Sequence, residues 1–152
     1  MQSRARAAGA GQVRGGGRWL VATGATPDRS EVALVPGGGW ARGAELHRAA
    51  AADRALGPTW VLVKGGQLPG QPIDLLTDGD EVHLLRAARA DNRHTHGTGC
   101  TLASALASFL AQGDPVPVAA GKAKDYVTGA LAAGFALGAG IGPVDHGWRW
   151  RG

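Results

Sequence analysis

The sequence predicts an α/β fold, read from the C-terminal part of a sheet protein, and three observations carry that prediction. Trp60-Val61-Leu62-Val63 is an uninterrupted apolar run behind a helix-forming segment. That is the pattern of a strand buried on both faces of a parallel sheet. Asp78-Gly79 stands between two short apolar segments, which is a hairpin signal. Two helical patterns then close the chain on either side of Gly113-Asp114-Pro115.

Taken in order, residues 1–43 are dominated by Gly, Arg and Ala, with the clusters GGGRW and PGGGW. Only WLVAT and VALV have strand character there, and the segment is expected to be poorly ordered. Residues 45–56, ELHRAAAADRAL, are mostly good helix formers, and Gly57-Pro58 stops them. The strand WVLV and the hairpin IDLLTDGDEVHLL follow. Leu102, Leu106, Phe109 and Leu110 fall at i, i+4, i+7 and i+8, one face of an amphipathic helix that Gly113 ends. Asp114 is expected to cap the next helix, with Pro115 in its first turn. Tyr126, Ala130, Ala133 and Leu137 share a face of that helix, and GAGIGPVDHGWRWRG reads as a loop-like tail.

The totals bound the function. A chain of 152 residues allows one domain with a modest core. A single cysteine excludes an intrachain disulfide, so a reducing compartment, the cytoplasm, is expected. Thirteen of the sixteen basic residues are arginine, and four of them lie in the first eighteen positions. No aromatic residues interleave with that early cluster, so it reads as a solvated tail and no nucleic-acid partner is expected. No apolar run approaches the length of a membrane span.

The stretch His94 to Gly113, HTHGTGCTLASALASFLAQG, carries the chemistry. A glycine-spaced turn that feeds a helix leaves backbone N–H groups without intrahelical partners, and the helix dipole adds positive potential. The result is an anion site, with phosphate as the usual guest. Gly97 and Gly99 allow close approach, Thr98 offers a hydroxyl, and Cys100 sits where thiol pKa values are commonly lowered. A thiolate there can accept a proton from an incoming hydroxyl while the amides hold a transferring phosphoryl group. The plainer reading is a structural glycine turn beside a buried, inert cysteine. His94 and His96 form an H-x-H pair with no second ligand pair nearby, so they read as loop residues and no metal site is expected.

THGTGCTLASALASFLAQG closely resembles the signature of the hydroxymethylpyrimidine and phosphomethylpyrimidine kinases of thiamin synthesis, in the ribokinase-like superfamily. WVLVKGGQLPG with DLLTDGDEVHLL resembles the strand and hairpin ahead of that signature. KAKDYVTGALAAGFALGAGIGPVDHGW resembles the family's closing helix and ending. The resemblance runs from about Ala44 to Trp148 and implies a ribokinase-like three-layer sandwich, truncated to its C-terminal part, over residues 44–152. It implies an anion hole at Gly97, Thr98, Gly99 and Cys100, with Cys100 as catalytic base. Lys64 would reach the ATP phosphates, and Lys122, Ala123 and Tyr126 would lie near the adenine. ATP and Mg²⁺ would be the cofactors and a small pyrimidine alcohol or its monophosphate the acceptor.

In that family the N-terminal half supplies the first strands, the pyrimidine pocket and a small lid, and residues 19–43 match none of it. They are expected to be an unrelated start, or an out-of-register reading, joined to a family ending. The exposed sheet edge this leaves makes a homo-oligomer plausible. The rival functions are a non-catalytic nucleotide-binding remnant and a pyridoxal-type kinase, the second disfavoured because Cys100 follows Gly-Thr-Gly where aspartate is expected.

Overall fold

The computed structural model describes residues 24–25, 44–55, 57–65 and 72–151. The stretches WLVAT and VALV lie outside the described residues. The chain divides into two compact units, Met1–Arg86 and Ala87–Gly152.

The first unit holds a four-stranded sheet in the order β1-β2-β3-β4, with β1 at Gly24–Ala25, β2 at Trp60–Val63, β3 at Ile73–Thr77 and β4 at Val82–Arg86. Helix α1, Ala44–Arg54, lies in the connection between β1 and β2 and packs on β2 and β3. β1 runs parallel to β2, with Gly24 opposite Trp60, as a connection carrying a helix permits. β2 and β3 are antiparallel, with Leu62 opposite Leu76. The expected strand is therefore present, but its sheet is mixed rather than parallel. Only residues 64–72 separate β2 from β3, too few for a parallel crossover of about a dozen residues or more. The DG hairpin forms as expected, in the register Thr77 to Val82 and Ile73 to Arg86.

Val61, Leu62, Val63, Leu75 and Leu76 are buried together with Ala50 of α1. Full burial of such side chains contributes about 1.5–3 kcal/mol each relative to exposure. β4 alternates instead, with Val82 and Leu84 exposed.

The second unit is a helical pair with a C-terminal segment folded onto it. α2 spans Thr98–Ala111 and buries Leu102 and Leu106, two of the four positions expected on its inner face, while Phe109 and Leu110 are half-buried. α3 spans Val116–Ala132 and packs against α2. Its buried face is Ala119, Ala120, Ala123, Val127 and Ala130, whose methyl groups allow close helix approach. That corrects the expected stripe. Ala133 lies past the end of α3 and is exposed, and Leu137 is exposed beyond it. In a helix so rich in alanine, several faces have nearly equal apolar character.

One further expectation changes. Pro115, not Asp114, is the N-cap of α3, and no side chain caps that end. The Asp114 carboxylate is taken by Lys122, at 2.8 and 2.9 Å. The closing segment is loop-like as expected, ending in a 3-10 turn at Trp148–Trp150, and it is packed down, with Val144 and Asp145 buried.

Candidate functional site

The loop that enters α2 is built from both ends of the second unit. Asn92 Nδ2 donates to the carbonyls of Leu131 (3.1 Å) and Gly134 (2.8 Å), closing the C-terminal end of α3. Its Oδ1 accepts the amide of His94 at 2.8 Å. His94 Nδ1 in turn accepts the amide of Gly142 at 3.0 Å. His96 then pairs with the same closing segment: its N–H donates to Gly142 (3.1 Å) and its carbonyl accepts from Val144 (3.0 Å). The bridge is parallel, His96 beside Pro143. Both histidines thus serve the loop, and no group of three His, Cys, Asp or Glu suited to a metal ion exists among the described residues.

The loop delivers the chain to Gly97, the N-cap of α2, at φ +87°, a left-handed conformation that favours glycine. No side chain caps this helix end. The Thr98 hydroxyl is turned back onto the carbonyl of Thr95 at 2.6 Å. The amide of Thr98 reaches the same oxygen at 3.3 Å, and that of Thr101 reaches Gly97 at 2.9 Å. The first-turn amides of Gly99 and Cys100 thus begin a helix without a side-chain acceptor, at the positive end of its dipole. Cys100 is exposed on that turn. The buried, inert cysteine of the plainer reading is not what the structure holds.

Gly97, Thr98, Gly99 and Cys100 are brought together at one helix mouth, as the sequence implies. Lys122, Ala123 and Tyr126 share α3 in the same unit. Lys122 is exposed, paired with Asp114, and 5.6 Å from the Phe109 ring centroid. Ala123 is wholly buried in the core of the unit. Tyr126 donates its hydroxyl to the carbonyl of His146 at 2.7 Å. Lys64 belongs to the first unit, half-buried just past β2. The amide of the next residue, Gly65, is held by the buried carboxylate of Asp74 on β3 at 2.9 Å.

Sequence reasoning missed Asn92, Thr101 and His146. Thr101 is buried, donates its hydroxyl to the Gly97 carbonyl at 2.8 Å, and meets His146 Nε2 at 2.9 Å. The motif GPV-x-H contains His146, but nothing in its spacing announces a partner 45 residues away.

A model of the phosphomethylpyrimidine kinase family matches residues 20–145. The matched span takes in residues 20–43, where the sequence alone offered no family motif. Hydroxymethylpyrimidine/phosphomethylpyrimidine kinase of Streptomyces coelicolor is 64% identical over 128 residues, 84% of this chain and 48% of that protein. The protein of the same name from Synechococcus elongatus is 44% identical, across 83% of this chain and 49% of its own length. The chain spans about half the length of the curated relatives it matches. Among solved structures, pyridoxal kinase from Staphylococcus aureus in complex with AMP-PCP superposes with a TM-score of 0.83 at 31% identity. That match covers 88% of this chain and 50% of the other. Phosphomethylpyrimidine kinase from Clostridium difficile gives 0.58 at 29% identity, over 72% and 43%. The fold is thus α/β and ribokinase-like, represented in part.

Proposed function

Because the chain belongs to the phosphomethylpyrimidine kinase family, we propose that it serves ATP-dependent phosphorylation of 4-amino-5-hydroxymethyl-2-methylpyrimidine or its monophosphate in thiamin biosynthesis. One observation carries this reading: the uncapped mouth of α2, where left-handed Gly97 turns the chain and exposed Cys100 stands on the first turn. The amides of Gly99 and Cys100 hold the transferring phosphoryl group. The Cys100 sulfur accepts the proton of the acceptor hydroxyl as its oxygen bonds to phosphorus and the bond to ADP breaks. Lys64 meets the ATP phosphates. Lys122 and Tyr126 face the adenine, with Ala123 supporting that wall from beneath.

S. aureus pyridoxal kinase crystallised with AMP-PCP and with ADP supports an adenine nucleotide as the donor. ATP as donor also supports a cytoplasmic setting. The described residues supply no cage for Mg²⁺. Mg²⁺ would enter with the nucleotide, and the chemistry it would supply is charge neutralisation on the transferring group. Val82 and Leu84, exposed on β4, support self-association of the chain.

The acceptor is assigned on sequence. The higher TM-score of the pyridoxal kinase reports backbone shape, whereas 64% identity to a pyrimidine kinase against 31% to the pyridoxal kinase weighs side chains. A second reading, a nucleotide-binding chain without turnover, is favoured by the likeness to kinases crystallised with ADP and AMP-PCP, which speaks to the nucleotide and not to the acceptor. ADP release with the pyrimidine alcohol, with pyridoxal as the rival acceptor, separates the readings. Turnover that falls about 10²–10⁴-fold in Cys100→Ala supports the kinase. Thermal stabilisation by ATP without turnover supports the binding chain, and neither response overturns both.

A further inference from the structure

We infer that His146 is a positioning residue for the anion turn: through the Thr101 hydroxyl it fixes the peptide at Gly97 and so aims the amides of Gly99 and Cys100. The inference rests on the phosphoryl-binding reading of that turn and names a residue by which the closing segment would serve it.

Thr101 makes two bonds to the Gly97 carbonyl, from its hydroxyl at 2.8 Å and from its amide at 2.9 Å. A threonine or serine hydroxyl bonding the carbonyl four residues back is ordinary in helices. Ser108 to Ser104 and Thr128 to Lys124 do the same here. Thr101 adds a contact to His146 Nε2 at 2.9 Å. With the hydroxyl proton already on the Gly97 carbonyl, the imidazole N–H is the donor and the threonine oxygen accepts. The relay thus runs from His146 through Thr101 to the carbonyl of the one residue in the turn with a left-handed backbone.

Its far end is anchored. The His146 carbonyl accepts the Tyr126 hydroxyl at 2.7 Å, and the amide of Asp145 donates to Ala130 at 2.9 Å. Gly97 is also held from its other side, because the His96 carbonyl accepts the amide of Val144 at 3.0 Å. The closing segment therefore grips both peptides that flank the turn. A rotation at Gly97 would swing the amides that follow it, and misplacement by about 1 Å can reduce such catalysis by about a hundredfold.

The test uses the full chain, with inorganic phosphate as the anion probe. Amide resonances of Gly99 and Cys100 are followed by NMR during the titration, and steady-state kinetics are run with ATP and the pyrimidine alcohol. His146→Ala is expected to weaken phosphate binding about tenfold and lower kcat about tenfold to a hundredfold, with KM for the alcohol unchanged. His146→Gln, whose amide N–H can still reach Thr101, should recover to within about threefold of the wild type. Thr101→Val should reproduce the loss, Thr101→Ser should not, and the His146→Ala/Thr101→Val double variant should be no worse than either single one. If His146→Ala does not fold, the two Thr101 variants and His146→Gln carry the test. Wild-type resonances unmoved by phosphate overturn the phosphoryl-binding reading itself. Resonances that move in the wild type and equally in His146→Ala and Thr101→Val overturn the positioning role alone, as do losses that simply add.

Discussion

The hairpin turn between β3 and β4 and the turn into α2 both pivot on a glycine with positive φ, +102° at Gly79 and +87° at Gly97. Their amides meet opposite fates. In the hairpin, Asp78 Oδ1 accepts from Asp80 at 3.0 Å and Glu81 at 2.8 Å, while the Thr77 hydroxyl accepts from Gly79 at 2.9 Å. Three successive N–H groups are closed by the chain's own oxygens. At α2 no side chain caps the helix, and the Thr98 hydroxyl faces back onto the loop. The same arrangement of converging amides is structural where the sequence provides its own anion. Where it places Gly-Thr-Gly instead, no side chain closes the helix entry, which is what the proposed phosphoryl site requires.

The substitution that breaks this contrast most directly is Gly97→Asp, which brings a carboxylate to the open turn. Two negative charges about 5 Å apart, at an effective dielectric of about 20, repel by roughly 3 kcal/mol. ATP affinity, read by calorimetry, should fall by about two orders of magnitude. Gly97→Asn is the control, since both residues tolerate the left-handed region. If Asn weakens binding as much as Asp, shape rather than charge governs the turn, and the anion reading loses its main support.

Next in size are two glycine-to-alanine changes that separate a rigid neighbour from a yielding one. A methyl group at Gly142 would run into the Phe135 carbonyl oxygen and lie 2.8 Å from His94 Nδ1. Backbone must move, so Gly142→Ala should cost about 1–3 kcal/mol in urea unfolding and loosen the loop below Gly97. At Gly79 the methyl would meet the end of the Arg54 guanidinium, which can swing away. Gly79→Ala should then cost mainly its left-handed backbone, about 1 kcal/mol, and leave ATP affinity untouched. Equal effects on ATP binding would mean that the closing segment does not support the anion turn.

Much of this contrast could be read in the sequence, and the exceptions have physical causes. WVLV, the DG hairpin and the glycine-spaced entry to α2 are local signals, and each forms where its pattern lies. The parallel pairing expected of WVLV holds toward β1 and fails toward β3, because an apolar run reports burial on both faces, not the orientation of each neighbour. The tail is loop-like as its sequence suggests, but its packing is not legible because GAGIGPVDH has no periodicity. Its order comes from bonds to Ala130 and His96, which are remote in sequence. Asp114 fits an N-cap locally, yet a lysine eight residues on competes for its carboxylate. At the candidate site the glycines and Cys100 were legible as a cluster, while Asn92, Thr101 and His146, which hold that cluster in place, act through contacts no spacing reveals.

The smallest expected effect concerns the closed turn. The amide of Glu81, followed by that of Asp80, holds the Asp78 carboxyl below its ordinary value, and Arg54 adds a weaker attraction. The folded chain thus prefers the ionised form. Its stabilising contribution is present above the unfolded carboxylate value of about 3.9, and is lost as pH falls through the lower folded value. Asn in this position keeps an acceptor oxygen but no charge. Asp78→Asn should therefore lower the melting temperature slightly at pH 7, and the gap from the wild type should close as the pH is taken below about 4. Thermal melts across that range read the difference directly, and ATP affinity at pH 7 should not change. A gap that stayed constant into strong acid would mean that the oxygen of residue 78, and not its charge, closes the hairpin. The two turns would then differ in whether an acceptor is present, and the sign of its charge would matter only at α2.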